Sequence, residues 1–137
     1  MNVTEIPFVR HVGIDTDDSG ALRLEFSQAV QNHLQTLHAA AQFALAETAS
    51  GDCLQQLFPE LVDQVVPLLR EARIKYKKPA FSSIRAQALV EQAEVERFQQ
   101  QFASKGRGSL AVDVEVLDSE GNVTCQAHYS WFISQRP

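Results

Sequence analysis

Five stretches of the chain alternate apolar and polar residues at a period of two, and helix-like runs lie between them. Leu22, Leu24 and Phe26 alternate with Arg23, Glu25 and Ser27, which predicts a half-buried strand. An earlier strand is expected over His11 to Thr16, joined to it by the turn-rich Asp17-Asp18-Ser19-Gly20. From Leu68 the period of two returns: Ala72, Ile74 and Tyr76 oppose Glu71, Arg73, Lys75 and Lys77, and Pro79 closes the strand. The next strand runs from Ser83 to Glu91 with Ile84, Ala86, Ala88 and Val90 on one face. The clearest hairpin comes last. Leu110, Val112, Val114 and Val116 form one apolar row, residues 118–122 the turn, and Val123, Cys125, Ala127, Tyr129, Trp131 and Ile133 the facing row.

The helical runs differ in character. Residues 34–51 read LQTLHAAAQFALAETASG, apolar and alanine-rich. A helix is expected from Leu37 or His38, with Thr36 as N-cap and Gly51 as the C-terminal stop. A shorter helix is expected over Cys53 to Gln64, with Pro59 in its first turn or at a kink, and another over Ala93 to Lys105, with Phe98 and Phe102 four apart. A glycine-bracketed break, Lys105-Gly106-Arg107-Gly108, precedes the hairpin. Two strands, one buried helix and four further antiparallel-type strands give an α+β fold in which the alanine-rich helix covers the apolar face of the sheet.

A chain of 137 residues builds one core, so residues 1–137 are read as a single domain. Its 45% apolar and 21% charged content is that of a globular protein, and the net charge of -5 argues against a nucleic-acid partner. The cysteines, Cys53 and Cys125, form no CxxC or zinc-type cluster; they read as free thiols in a reducing compartment, with a disulfide between them as the alternative. No metal or cofactor is expected. The N-terminus lacks a basic segment followed by an apolar one, and no run approaches the roughly 18 apolar residues of a membrane span, so a cytoplasmic location is expected.

Between Leu34 and Gly51 the one formally charged side chain is Glu47. Carboxylates are rarely buried without a partner. Either Glu47 occupies the helix's one wet face, or it sits in an apolar setting that raises its pKa and suits it to act as base or nucleophile.

Asn32, His38 six positions on, and Glu47 nine further on inside Leu45-Ala-Glu-Thr-Ala49 resemble the helix start of hotdog-fold thioesterases of the phenylacetate-pathway type. The second half, with Tyr76-x-Lys-Pro79, a helical excursion, Lys105-Gly-Arg107 and the final hairpin, looks like a less-studied hotdog branch. The resemblance spans roughly residues 10–134 and implies a hotdog fold: five to six antiparallel strands wrapped around a long central helix. It implies a thioester hydrolase in which Glu47 attacks the carbonyl or activates water, while backbone N–H groups of Ala39 and Ala40 at the helix N-terminus stabilise the oxyanion. The family has Gly-Gly where this chain has Ala39-Ala40, and the added methyl groups lie where a thioester would approach.

Ala39 and Glu47 are eight residues apart, about 12 Å of helix rise, so one thioester carbon cannot meet both within one chain. The reading therefore demands at least a homodimer, or a dimer-of-dimers tetramer. Asn32 either orients the carbonyl or the water, or is an Asx-turn residue; His38 is either a positioning group or structural. Lys77, Lys78, Lys105, Gly106 and Arg107 are the candidates for holding the carrier, coenzyme A or acyl carrier protein, against the reading that the charges are only solvated. Two alternatives remain: a non-catalytic acyl-CoA binding or sensing protein, and a dehydratase of hydroxyacyl thioesters.

Overall fold

The computed structural model describes residues 1–137. A 3₁₀ turn at Val3–Glu5, capped by the Asn2 side chain, leads into α1 (Pro7–Val12), where Pro7 presets the first turn and Gly13, at φ 95°, ends it. The short strands β1 (Ile14–Thr16) and β2 (Leu22–Leu24) form a hairpin around the Asp17 turn. Then follow α2 (Ala39–Leu57), β3 (Val65–Tyr76), β4 (Ile84–Leu89), α3 (Gln92–Lys105), β5 (Arg107–Leu117) and β6 (Val123–Gln135). The strands make one antiparallel sheet in the order β1-β2-β4-β5-β6-β3. No helix is long and apolar enough to cross a membrane.

The sheet curls around α2. Leu24, Ile84, Leu110, Val112, Val114, Val116 and Tyr129 all face the helix and are almost wholly buried. Each such burial stabilises the fold by about 1.5–3 kcal/mol. Ala41, Ala44, Ala46 and Ala49 are buried on the helix side, and their short side chains let the helix approach the sheet closely. Three polar groups from β6 fix the helix in place. Thr124 Oγ1 donates to Gln42 Oε1 at 2.8 Å, Tyr129 Oη to the Phe43 carbonyl at 3.2 Å, and Trp131 Nε1 to Ser50 Oγ at 3.0 Å. The register of β5 and β6 shifts between Val116 and Leu117, and there Thr124 turns inward and is buried beside Cys125.

β4 ends at Leu89, opposite Asp113, so β5 before Asp113 has no strand on that side. α3 takes its place through side chains. Glu94 accepts from Ala111 N at 3.0 Å, Gln101 accepts from Ser109 N at 3.1 Å, and Arg97 donates to Ser109 O at 2.8 Å. Phe98 anchors the helix against Phe58, with ring centroids 5.0 Å apart.

Several expectations need correction. Residues 7–12 are helical where a strand was expected from His11, because Pro7 nucleates a turn and Gly13 stops it. The central helix does not end at Gly51. It continues to Leu57, because Leu54 and Phe58 bury there and outweigh the weak helix propensity of one glycine. Its N-cap is His38, not Thr36, whose side chain is buried in the preceding loop. The separate helix over Cys53 to Gln64 is therefore the tail of α2 plus a 3₁₀ turn at Pro59–Leu61. β3 begins at Val65, three residues before Leu68, and Arg107 opens β5 directly after Gly106 caps α3 at φ 67°. Both cysteines are free thiols.

Candidate active site

α2 carries Glu47 on the face that looks away from the middle of the sheet, toward β3 and the N-terminal segment. Its carboxylate is half-buried, accepts no hydrogen bond and has no ion-pair partner in the chain. It lines a cavity of about 430 Å³ whose walls are mostly apolar, among them Val9, Leu54, Phe58, Val65 and Trp131. That volume falls in the range of small-molecule sites. Glu47 is therefore reachable from a cavity and set in largely apolar surroundings.

Desolvation raises the Glu47 carboxyl above its ordinary value of 4.5. No charged neighbour offsets this. A reaction that needs the ionised carboxylate should then lose rate on acidification starting above pH 4.5. The expected kcat/KM profile has an acid limb whose midpoint lies above that value, and a limb at or below it would contradict the assignment. The stability consequence has the opposite sense. The folded state favours the protonated form, so that stabilisation is present below pH 4.5 and is lost as pH rises through the folded pKa. At neutral pH the ionised group is a net cost to the fold.

The helix N-terminus lies at the other end of α2. His38, Ala39 and Ala40 are all exposed. His38 Nδ1 accepts from the Ala40 N–H at 2.9 Å, so that donor is capped by the chain itself. The Ala39 N–H donates to no protein group, and the Ala39 carbonyl accepts from Tyr76 Oη at 3.1 Å. Asn32 is taken up within its own loop: Oδ1 accepts from Leu34 N at 2.9 Å and Thr36 N at 3.1 Å, and Nδ2 donates to Thr36 Oγ1 at 2.8 Å. Its side chain shapes the entry to α2 as an Asx-type turn does.

The cationic candidates separate into two groups. The Lys77 and Lys78 amides donate to the Thr124 carbonyl, at the start of β6. Arg107 pairs with Ser134 near the other end of β6, beside Lys105 and Gly106. Ten strand positions separate Thr124 from Ser134, about 33 Å, so within one chain these groups cannot grip one small carrier together. Sequence reasoning missed the cavity walls contributed by the N-terminal segment, the role of Trp131 and the Tyr76 contact. All of them arise from pairings between distant parts of the chain, for which no local pattern exists.

Known structures share this architecture. The chain is similar to PA5026 from Pseudomonas aeruginosa, a protein of unknown function described as a probable thioesterase (20% identity over 98% of this chain and 91% of that one, TM-score 0.83). It is also similar to thioesterase HI1161 from Haemophilus influenzae (15% identity, 97% and 86% covered, TM-score 0.76). A third similar structure is BH2602 from Bacillus halodurans, crystallised with CoA (24% identity, 89% and 72% covered, TM-score 0.68). No curated protein matches the chain. The shared architecture, one long helix wrapped by a six-stranded antiparallel sheet, is the hotdog fold. With residues 4–133 matched by the family described as a domain of unknown function, DUF4442, the chain is a member of that family.

Proposed function

We propose that this protein hydrolyses acyl thioesters of coenzyme A or acyl carrier protein, as a homodimer whose sites are shared between subunits. The observation that carries this reading is the Glu47 carboxylate: half-buried, without a hydrogen-bond or ion partner, and open to an apolar cavity. Glu47 attacks the carbonyl directly or takes a proton from water as the water oxygen bonds to the carbonyl carbon. In the first route the C–S bond breaks to leave an acyl–Glu47 anhydride, which water then cleaves to the free acid and the restored carboxylate; in the second the C–S bond breaks and the water oxygen stays in the acid. In both the thiolate leaves and is protonated to free thiol. The negative charge on the carbonyl oxygen is met by the Ala39 N–H at the positive end of a helix.

The exposed edge of the sheet supports a second subunit. β3 pairs with β6 on one side only. Its row Pro67, Leu69, Ala72, Ile74 and Tyr76 stands beside Ile133, Trp131, Tyr129, Ala127 and Cys125 of β6, which α2 buries. The β3 row is itself exposed or half-buried. A twelve-residue edge with an apolar inner row calls for cover. Antiparallel pairing of two β3 edges about a two-fold axis brings the Val65 end of one strand to the Tyr76 end of the other. Val65 and Pro67 line the Glu47 cavity, and Tyr76 holds the Ala39 carbonyl. The same pairing thus carries the partner subunit's Ala39 toward Glu47, and the partner subunit's Lys77 and Lys78 toward Lys105 and Arg107. These cations are then available to the phosphates of a carrier.

The Ala39 and Ala40 methyl groups and the His38 cap on the Ala40 N–H favour a second reading, an acyl-CoA binding protein without turnover. Release of free thiol from a panel of short, long and aromatic acyl-CoAs decides between them. Turnover supports hydrolysis; saturable binding with no thiol release supports the binding protein.

A further inference from the structure

A helix start leaves its first N–H groups without intrahelical partners, and α2 keeps only one of them free. The His38 N–H donates to the Val30 carbonyl at 2.8 Å, the Ala40 N–H to His38 Nδ1 at 2.9 Å and the Ala41 N–H to the His38 carbonyl at 2.9 Å. The Ala39 N–H is left, whereas oxyanion sites combine several donors. Gln42 stands three residues further on, a neighbour of Ala39 on the helix surface. It is 4% exposed, and its Oε1 accepts from Thr124 Oγ1 at 2.8 Å. That bond turns the amide hydrogens the other way, and Nε2 donates to no protein group. Nε2 is not sealed in, since the one fully enclosed side-chain polar atom without a partner is Gln55 Oε1. A largely buried donor left unpaired is unfavourable, and an aliphatic side chain of the same length would fill this place without it. Helical side chains lean back over the preceding turn, here the turn of Ala39.

We propose that the Gln42 carboxamide is the second donor to the thioester carbonyl oxygen, acting beside the Ala39 N–H of the same chain; the identity of the ligand rests on the hydrolase reading above. Thr124 aims it. The Thr124 hydroxyl holds Oε1, and the Thr124 carbonyl accepts from the Lys77 and Lys78 amides at 2.8 and 3.2 Å. The start of β6 thus ties the carboxamide to the lysine pair offered to the carrier. Tyr76, opposite Cys125 in the sheet, holds the Ala39 carbonyl from the next position along. As the carbonyl carbon is attacked and its oxygen gains charge, a donor already oriented by Thr124 needs no reorganisation. Being neutral, the amide is buried there without the desolvation cost of a lysine or arginine.

Gln42→Met and Thr124→Val lose the same hydrogen bond, but only Gln42→Met loses the N–H. Gln42→Met is expected to lower kcat by about 10²–10³-fold with KM changed far less, the usual effect of removing one oxyanion donor. Thr124→Val is expected to lose less than about tenfold at a similar urea midpoint. Equal losses in the two variants, or an unchanged kcat in folded Gln42→Met, overturn the proposal and leave Gln42 an anchor. A second readout needs no turnover. Carbonyl-¹³C acetyl-, octanoyl- and benzoyl-CoA are bound to Glu47→Gln, and the infrared C=O stretch of the tightest binder is read with and without Gln42→Met. The stretch is expected to fall on binding and to return part of the way when Gln42 is replaced. A bound-state frequency that ignores Gln42→Met, or no binding of any of the three thioesters, overturns the proposal. A Gln42-dependent frequency in a protein whose wild type releases no thiol would refute the hydrolase reading alone.

Discussion

Replacing Glu47 with glutamine is expected to lower kcat for thioester hydrolysis by about 10²–10⁴-fold, the usual worth of a positioned acid–base group, and by more if the carboxylate is the nucleophile. The substitution keeps the volume and shape of the side chain but removes the basic oxygen. It should do so without harming the fold. Glu47 makes no side-chain hydrogen bond or ion pair to lose, and burial holds its carboxyl above the ordinary value of 4.5. At neutral pH the folded state therefore carries an ionised group it disfavours, and Glu47→Gln should unfold in urea at the same or a higher midpoint than wild type. A stable, folded and inactive variant is the expected combination. Retained turnover would remove Glu47 from the chemistry, and a sharply lower midpoint at pH 7 would make its role structural.

The second large effect concerns the sheet edge. Ala72→Glu is expected to yield a folded monomer with at least a hundredfold lower activity. Ala72 is exposed in the isolated chain, opposite Tyr129 in the inner row, so a carboxylate there remains in water as long as the chain is alone. In the dimer it would lie under the partner and lose its hydration, a cost of several kcal/mol incurred twice across a two-fold interface. Sedimentation velocity and a thiol-release assay on the same sample measure both consequences. A monomer with full activity would place the complete site within one chain. A dimer as tight as wild type would move the interface away from β3.

Much of the fold is legible in the sequence because the sheet has one buried face. The rows Leu110 to Val116 and Cys125 to Ile133 repeat at two and read as strands without help. At Gly51 the reading fails because tertiary packing outweighs local preference. Gly51 has the look of a helix stop, but Leu54 and Phe58 find burial only if the helix continues. The start of β3 is hidden in Val65-Val66-Pro67-Leu68-Leu69, a continuous apolar run with no alternation, and Pro67 is tolerated because the strand is an edge. Glu47 stands out as the lone charge between Leu34 and Gly51, and the structure sets it half-buried beside a cavity. The walls of that cavity were not legible, since Val9, Val65 and Trp131 are brought together from segments far apart in sequence. Nor could spacing reveal that the lysine pair and the Lys105-Arg107 group stand at opposite ends of β6.

The claim that two subunits complete each site is tested most directly by complementation between two inactive variants. Ala39 is the first residue of α2 and follows His38 at φ -62° and ψ 139°, a backbone that accepts a following proline. Ala39→Pro therefore deletes the oxyanion N–H while keeping the helix, and is expected to cost about 10²–10³ in kcat. In a heterodimer of Ala39→Pro with Glu47→Gln, one site combines the intact Glu47 of the first chain with the intact Ala39 of the second, and the other site carries both lesions. Co-expressed and purified by two tags, that heterodimer should recover up to half of the wild-type turnover although neither homodimer is active. A heterodimer as inactive as its parents would show that Glu47 and Ala39 do not meet across the interface.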